Sequence, residues 1–220
     1  MPIPAKMVPL WESLQQEVIG VHAYWINYCQ LFAGSRERLE LLNATASLFF
    51  YIVQDVLLSD IQIGLSKLGD PAGSGSRENA TLERLLREVE AVAPSSLRDI
   101  LETKLTEYCS RCKYIRLRRN KELAHADLGA LLIKMGHVQG PSLPSPSRGE
   151  IEEALKTLSE FMNAIEEHFT GSPTAYEHFV PGEDGDAMVW ILKQGLRYDE
   201  LWRNRVIAWD DMRRFDQFEA

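Results

Sequence analysis

The sequence predicts an all-α protein, an antiparallel bundle of four long helices with additional short helices and a helical C-terminal tail. Two observations predict this fold class. Apolar residues recur every three or four positions over long stretches, and no strand-like alternation or internal repeat interrupts them. The chain has 220 residues, of which 45% are hydrophobic and 25% charged, as in an ordinary soluble globular protein.

The first two predicted helices fill the N-terminal third of the chain. Helix one follows Pro9, which suits a first helical turn, and stops at Gly34. Helix two starts at Arg36 and runs toward Gly69 and Pro71. It is expected to be long and well buried along one face, which consists of Leu42, Ala46, Phe49, Val53, Val56, Ile61 and Leu65.

Loops rich in Gly, Ser and Pro separate the remaining helices. Residues 70–76 predict a loop, and residues 82–89 predict a short amphipathic helix. Helix three begins after Pro94, where Ser96 and Asp99 resemble a capping box. The seam that it is expected to bury consists of Leu97, Leu101, Leu105, Tyr108, Cys112 and Ile115.

The fourth long helix follows a segment, residues 136–149, whose three prolines prevent it from being helical throughout. Its apolar positions have the cleanest helical spacing in the chain, and it ends before Gly171. We therefore expect a helical bundle over residues 1–170. Residues 171–220 form a helical extension that packs on the bundle or on a partner, because it is too apolar to stay free.

Charge and cysteine content exclude several classes of protein. A formal net charge of -8 argues against nonspecific coating of nucleic acid, which needs many Lys and Arg contacts to phosphates. No segment approaches about 18 uninterrupted apolar residues, so we expect a cytoplasmic protein without membrane contact. Cys109 and Cys112 form a C-x-x-C pair but lack a second ligand pair. We therefore expect neither a metal nor a cofactor.

One segment departs from the acidic character of the chain. This segment, residues 111–121, which we call the basic run, has no acidic residue. Its six basic residues are Arg111, Lys113, Arg116, Arg118, Arg119 and Lys121. Arg119 continues the seam of helix three beyond Ile115, where an apolar residue is expected. Because an unpaired buried charge is costly, Arg119 must be salt-bridged, reach water, or face a polar groove that holds an anion.

The spacing between Arg119 and His125 leaves two geometries open. On an ideal helix Arg119 and His125 lie about 120° apart, whereas Arg118 and His125 lie within about 20°. Either Arg118 is the neighbour of His125, or the helix is irregular here. A break or tightened turn near Asn120 would bring Arg119 and His125 together, since asparagine competes with helix by bonding the nearby backbone.

The run RNKELAHAD, residues 119–127, resembles the signature of HEPN domains, an arginine followed by a polar residue and by a histidine four to six residues after the arginine. In its extended form it is most similar to the abortive-infection AbiU-type branch. The all-α layout and a second helix ending in LSKLGDP are similar too. The resemblance covers roughly residues 10–170 and implies a metal-independent endoribonuclease with its active site at a homodimer groove.

The resemblance also implies roles for three motif residues. His125 would take a proton from the 2'-hydroxyl or give one to the leaving oxygen, since histidine titrates near neutral pH. Arg119 would stabilise the charge that develops on the phosphate, because its planar guanidinium matches two oxygens. Asn120 would orient the phosphate or the histidine.

Neighbouring charged residues complete the predicted site. Arg118, Lys121 and Arg116 would guide the RNA backbone into the groove. Asp127 either orients the imidazole or caps the following turn. Some HEPN toxins carry a tyrosine that a partner nucleotidyltransferase modifies where this chain has Asp127, so that mode of control is in doubt. An antitoxin protein is a candidate partner in a toxin–antitoxin setting.

Two other readings of the same residues stay open. The bundle could be a noncatalytic module that holds RNA, a nucleotide or a protein in this groove. It could instead be a structural dimerisation domain, which is favoured if Arg119 is salt-bridged within one chain. The basic run by itself is also compatible with a solvated helix face that pairs with acidic residues elsewhere.

Overall fold

The computed structural model describes residues 2–74, 76–123, 127–141, 143–178 and 184–207. The chain divides into two compact units. Unit 1 consists of Met1–Trp25 and Val56–Phe179, and unit 2 consists of Ile26–Asp55 and Val180–Ala220. The bundle and extension expected over residues 1–170 and 171–220 stay a prediction about domains.

Eight α-helices account for most of the residues that the structure describes, which confirms the all-α fold class. They are α1 (Val8–Phe32), α2 (Arg36–Leu68), α3 (Leu82–Glu90), α4 (Ser95–Arg111), α5 (Lys113–Arg118), α6 (Leu128–Lys134), α7 (Arg148–Thr170) and α8 (Gly185–Arg203). A π-helical turn, Arg119–Leu123, precedes α6, and a 3₁₀ turn, Tyr176–His178, follows α7.

The loop predicted over residues 70–76 contains the start of a small β-hairpin. Strands β1 (Gly73–Ser74) and β2 (Arg77–Glu78) pair in antiparallel fashion, with Gly73 opposite Glu78. The sequence predicts no strand at this place. Strands of two residues are too short to show an alternating pattern, so the hairpin has no signal in the sequence.

The core of unit 1 forms where α4 packs against α7 and α3. Large apolar side chains of α7, such as Phe161 and Phe169, are fully buried there. Tyr108 of α4 is also fully buried, and its hydroxyl donates to the Leu65 carbonyl of α2 at 2.6 Å. Burial raises the pKa of Tyr108 well above its ordinary value. The predicted seam is thus confirmed at Tyr108, and α2 is tied to α4.

The predicted end of α7 is observed, whereas the capping box predicted for the start of α4 is not. Gly171 ends α7 with φ 78°, the left-handed conformation that glycine adopts without steric cost. The start of α7 has a capping box between Ser147 and Glu150. The capping box predicted at Ser96 is wrong, because α4 begins one residue earlier, at Ser95, and has no side-chain cap.

His22 of α1 joins three elements inside unit 1. Its Nε2 lies 2.9 Å from Ser159 Oγ on α7, and its ring stacks on Tyr176 with the centroids 5.8 Å apart. Burial lowers the pKa of His22 to about 4, an effect that the nearby Glu177 carboxylate partly offsets. His22 is therefore a buried core histidine that is neutral near pH 7.

The middle of α2 is not buried as the sequence predicts. Ala46 has φ -154° and ψ 69°, which is a non-helical conformation inside the helix. Among the predicted face, Ala46, Phe49 and Val56 are exposed, whereas Leu42, Ile61 and Leu65 are buried. Because a non-helical residue shifts the helical phase, positions after Ala46 no longer continue the face that begins at Leu42.

Helix α2 is also the one helix in the described part of the chain that is long and apolar enough to cross a membrane. Of its 18-residue apolar window, 11% is buried. Core helices of proteins without a membrane span also reach this length and apolar composition. The C-terminal end of α2 belongs to the core of unit 1, where Ile61, Leu65 and Leu68 are buried.

Polar contacts hold the start of α8 within unit 2. Asp184 caps α8 by accepting from the Ala187 backbone at 3.1 Å, and it accepts from the Gln30 side chain at 2.8 Å. These hydrogen bonds, led by that of Gln30, hold the pKa of Asp184 below its ordinary value. Arg38 donates to the Asp186 carboxylate at 2.7 Å. Asp184 and Asp186 therefore both hold the start of helix α8.

Candidate functional site

The predicted third helix is broken into pieces where the basic run lies. Helix α4 ends at Arg111, Cys112 has ψ 3°, and α5 continues to Arg118. The backbone then widens into the π-helical turn Arg119–Leu123. The helix is therefore irregular at this point, with a widened rather than a tightened turn, and the choice between Arg118 and Arg119 as the neighbour of His125 stays a prediction. Such π turns often occur at functional sites.

The basic run has two faces with different partners. Arg116 and Arg119, three residues apart, contact the C-terminal end of α2. Arg118 and Lys121 lie on the other side, where they line a cavity. The predicted site residues are therefore not all brought together, since Arg119 and Arg116 do not line that cavity.

Arg119 is held by two side chains from the end of α2. Its Nη2 donates to both carboxylate oxygens of Asp70, at 2.6 and 2.7 Å, and its Nε donates to Ser66 Oγ at 3.0 Å. Ser66 is fully buried, and the Arg119 side chain is 21% exposed. Arg116 Nη2 adds a third donor to Asp70, at 3.1 Å from Oδ1. Arg119 is thus salt-bridged within one chain.

This arrangement leaves part of the guanidinium available. The hydrogen bonds that Arg119 makes to described side chains use Nε and Nη2. A guanidinium has five N–H donors in a rigid fork, so Nη1 can still donate to an anion. Asp70 and Ser66 settle the orientation of Arg119 before any ligand arrives, which is the condition for strong electrostatic stabilisation.

Arg118 has partners on the opposite face. Its Nε lies 3.0 Å from Glu122 Oε2, and its Nη1 donates to Ser145 Oγ at 2.7 Å. The contact with Glu122 is an ion pair without the alignment of a hydrogen bond, since Arg118 Nε lacks a hydrogen-bond partner. Arg118 therefore links the π turn to the loop that precedes α7.

The other cations of the basic run have weaker ion pairs, or no carboxylate partner among the described residues. Arg111 lies 3.6 Å from Glu153, in an exposed pair that contributes little. Lys113 lies over the ring of Tyr114, 5.9 Å from its centroid. Within the described part of the chain, neither Lys113 nor Lys121 has a carboxylate partner.

A cavity of about 690 Å³ opens beside the π turn. Its walls come from α5, the π turn, α6 and the loop after α6, and they include Leu117, Arg118, Lys121, Asp127, Ile133 and Leu143. Apolar and charged side chains thus meet in one concave surface, as in small-molecule sites. Three predicted site residues, Arg118, Lys121 and Asp127, lie together here.

The segment that follows the π turn contains the predicted base. His125 lies outside the described residues. On either side of it, the Asp127 backbone amide donates to the Lys121 carbonyl at 3.0 Å. Asp127 Oδ1 accepts from the Ala130 amide at 2.8 Å, so this oxygen takes the capping role that was one of its two predicted roles. Asn120 is exposed on the π turn.

The C-x-x-C pair has no described metal partner. Burial raises the pKa of Cys112 to about 12 and also raises the pKa of Cys109, so both thiols are protonated near neutral pH. In the residues that the structure describes, no three His, Cys, Asp or Glu side chains form a group that could hold a metal ion.

Three residues of the site were not among those predicted from the sequence, namely Ser66, Asp70 and Glu122. Ser66 lies in the last turn of α2 and Asp70 two residues beyond its end, at a spacing of four residues that brings both side chains to Arg119. The spacing could have identified these two residues as partners of Arg119 only if the packing of the two segments had been known. Glu122 follows Arg118 at the i,i+4 spacing of helical ion pairs, a signal that was present in the motif itself.

A family model matches most of the chain. The family model HEPN_AbiU2, described as AbiU2, matches residues 6–188. The matched range includes α2, the basic segment and the cavity. No curated protein matches the chain, and no solved structure matches it.

Proposed function

Because the chain belongs to the AbiU2 family of HEPN domains, we propose that this HEPN-like abortive-infection protein is a metal-independent endoribonuclease. It would act in phage defence or in a toxin–antitoxin system. The 2'-hydroxyl oxygen would attack the adjacent phosphorus, and the bond to the 5' oxygen of the next nucleotide would break. The products would be a 2',3'-cyclic phosphate and a free 5'-hydroxyl.

The observation that carries this proposal is the fixed guanidinium of Arg119. Asp70 and Ser66 hold Nη2 and Nε, while Nη1 donates to no side chain in the described part of the chain. In the transition state the nonbridging oxygens of the phosphate gain negative charge. A preoriented guanidinium stabilises that charge more in the transition state than in the ground state, which is what accelerates the reaction.

His125 supplies the proton chemistry in this proposal. A histidine with an ordinary pKa near 6.5 accepts the 2'-hydroxyl proton, or protonates the leaving oxygen, close to neutral pH. Asn120, beside Arg119 in the chain, would orient the phosphate or the imidazole. The proton balance needs no metal ion, because imidazole both accepts and donates.

The RNA strand would follow the cations on the two faces of the segment. Arg118 and Lys121 would contact backbone phosphates on the cavity side, and Arg116 would do so beside Arg119. Such contacts position a strand without reading its sequence. The antitoxin protein that the proposed setting includes would be a further partner, and the protein would act in the cytoplasm without membrane contact.

The composite site needs two copies of the chain, so we propose a homodimer. Unit 2 supports it with an exposed apolar patch on α2 that we call the α2 patch, formed by Leu48, Phe49, Tyr51 and Ile52. Each of these side chains is more than half exposed. The α2 patch carries no charge, so two copies facing each other meet no like-charge repulsion.

The decisive experiment is RNA cleavage by the purified full chain in the presence of a chelator. We expect cleavage that leaves a cyclic phosphate, and its loss by about a hundredfold or more in His125→Ala and Arg119→Ala. Lys113→Ala serves as the matched control, because it removes a cation of the same basic run that contacts neither Asp70 nor the cavity. Unchanged cleavage by His125→Ala contradicts the assignment.

A noncatalytic binding or dimerisation module is the second candidate, and one observation favours it. Arg119 is salt-bridged within one chain, so it has a structural role even without RNA. That candidate predicts RNA or protein binding with no cyclic phosphate product, and loss of folding stability rather than of turnover in Arg119→Ala. The cleavage assay and a thermal unfolding measurement on the same variant separate the two.

A further inference from the structure

We propose that the outer side of α6 is a docking surface for an acidic helical segment of another protein. This surface, which we call the α6 face, consists of Leu128, Leu131 and the C-cap residue Met135. Docking on the α6 face is independent of RNA cleavage. Any effect of docking on cleavage rests on the proposed function.

The α6 face is a single apolar stripe that is open to solvent. Leu128 is 68% exposed, Leu131 42% and Met135 61%. Residues spaced by three and four positions lie on the same side of a helix, and Leu128 and Met135 lie within about 20° of each other around its axis. The three side chains are therefore arranged as the anchors of a helix–helix contact, which use this spacing.

The opposite side of α6 is turned toward the cavity beside the π turn. Gly129, Ala130, Ile133 and Lys134 line that cavity, and no residue of the α6 face does. Lys134 is the one charged residue of α6. A helix that is apolar on all sides is normally covered on all sides, so we expect the α6 face to be covered in a complex.

The charges beside the α6 face select an acidic partner. Between Asp127 and Glu150 the sequence has two basic residues, Lys134 and Arg148, and no acidic one. Arg148 pairs with Glu152 at 2.7 Å, whereas Lys134 makes no ion pair among the residues that the structure describes. Asp127 Oδ1 accepts from a backbone amide of α6. A carboxylate on the partner would therefore meet an uncompensated cation at Lys134.

Charge also distinguishes a protein partner from two other occupants. A second copy of the chain would bring another uncompensated lysine to the interface, whereas the α2 patch carries no charge. An anionic membrane repels a chain with a net charge of -8, and its recognition takes clusters of about four or more basic residues. A helix with apolar residues at a spacing of three and four, flanked by carboxylates, matches both the stripe and Lys134.

The start of α6 is bonded to the π turn. Asp127 is the N-cap of α6, and its backbone amide donates to the Lys121 carbonyl at 3.0 Å. An occupant of the α6 face would thus restrain a helix that is anchored on the motif at residues 119–127. Under the proposed function, occupancy is expected to change kcat for RNA cleavage.

Two synthetic amphipathic helical peptides are the probes. Both have leucine at a spacing of three and four residues, and they differ in having glutamate or lysine on the flanks. Fluorescence anisotropy measures their binding to the full chain. The net charge of the chain repels the glutamate peptide, so its binding cannot come from general electrostatic attraction.

Two independent variants test the α6 face with these peptides. Leu128→Ser with Met135→Ser removes apolar surface, and its control is Val92→Ser with Ile100→Ser, two exposed apolar residues outside α6. Lys134→Glu reverses the charge, and its control is Lys156→Glu, at an exposed position of α7. We expect each test variant to weaken binding of the glutamate peptide by about tenfold, and each control to bind it as wild type.

The outcomes decide whether a protein segment occupies the α6 face. Loss of glutamate-peptide binding in both test variants, with tighter binding of the lysine peptide by Lys134→Glu, supports the proposal. No binding of the glutamate peptide by wild type, or equal binding by wild type and both test variants, overturns it.

The same variants test the two other occupants. Conversion of a dimer to a monomer by Leu128→Ser with Met135→Ser, measured by light scattering, would assign the α6 face to a second copy. Loss of sedimentation with vesicles of phosphatidylcholine and phosphatidylglycerol would assign it to a membrane. Either result overturns a protein partner. A wild-type chain that cuts no RNA contradicts the proposed function and leaves the result of the peptide experiment valid.

Discussion

The bond between Arg119 and Asp70 joins residues that are 49 positions apart in the chain. This contact explains why an arginine can continue an apolar seam. The Asp70 carboxylate and the buried Ser66 hydroxyl accept the hydrogen bonds that Arg119 would otherwise donate to water. A side chain fixed at two of its nitrogens differs from a flexible surface arginine. It is preoriented, and the residues that hold it become positioning residues for any reaction in which it takes part.

Asp70→Asn is expected to lower kcat for RNA cleavage by about tenfold or more while leaving KM nearly unchanged. The amide keeps the shape of the side chain but no longer holds two arginines by charge, so Arg119 loses its fixed orientation. Removing a negative charge does not weaken the electrostatic attraction of RNA, so KM should not rise. A fall in kcat alone then indicates that Asp70 positions Arg119 and does not bind RNA. Glu153→Gln, which removes the exposed partner of Arg111, is the control. A rise in KM with kcat unchanged would contradict a positioning role.

His22 is expected to make the stability of the chain depend on pH. Its pKa is about 4 in the folded chain and near 6.5 when unfolded, so the unfolded state binds more protons between these values. Stability is therefore full above pH 6.5 and falls as the pH drops toward 4. Between about pH 7 and pH 5.5 the free energy of unfolding should fall by roughly 1 kcal/mol through this residue.

Urea unfolding at the two pH values measures the effect of His22. In His22→Gln that part of the pH dependence should disappear, because glutamine does not titrate. His137→Gln, at an exposed loop position, should keep the wild-type difference. Equal pH dependence in His22→Gln and wild type would show that the histidine is not buried in its neutral form.

Local chemistry explains some helix ends and not others. The capping box of α7 has a hydroxyl and a carboxylate at the spacing that satisfies two backbone amides. Ser96 and Asp99 have a matching spacing at α4, yet the helix begins at Ser95 and follows Pro94 instead. A proline before the first turn restricts the backbone and sets the start of the helix on its own.

Ser147→Ala should destabilise the chain by about 1 kcal/mol, as the loss of an N-cap usually does. Ser96→Ala is the matched control, since its hydroxyl caps no helix, and it should change stability by less than about 0.5 kcal/mol. Chemical denaturation of the two variants checks the difference. If Ser96→Ala proved the more costly change, the observed start of α4 would be contradicted.

The two units of the molecule differ in the burial of their large apolar side chains. In unit 1 the large apolar side chains of α7 are buried, and so are Leu97, Leu101 and Tyr108 of α4. In unit 2 the α2 patch is exposed, and so are Trp190 and Ile191 of α8. A contiguous exposed apolar surface of this kind usually has a partner, so substitutions in the α2 patch are the way to disrupt the proposed homodimer.

Phe49→Asp together with Ile52→Asp should convert the dimer to a monomer, because two buried carboxylates per copy would lose their hydration in the interface. Light scattering coupled to size-exclusion chromatography measures the mass, and RNA cleavage should fall with the dimer fraction. Thr103→Asp, at an exposed position of α4, is the control and should keep both. A wild-type monomer that cleaves RNA would contradict the composite site.

Periodicity and composition were sufficient for the fold class and for most helices, because 3.6-residue spacing is a local property of the chain. The motif at residues 119–127 was sufficient to identify the family, and an irregular backbone at this segment was one of two predicted alternatives. Tertiary structure decided which anion Arg119 meets, since the Asp70 contact depends on where α2 ends relative to α5. It also decided that Phe49 and Val56 of the predicted face are exposed whereas Phe50 is buried, because the non-helical Ala46 shifts the helical phase of the positions after it. Contacts between distant segments follow from packing as a whole, and no local pattern encodes them.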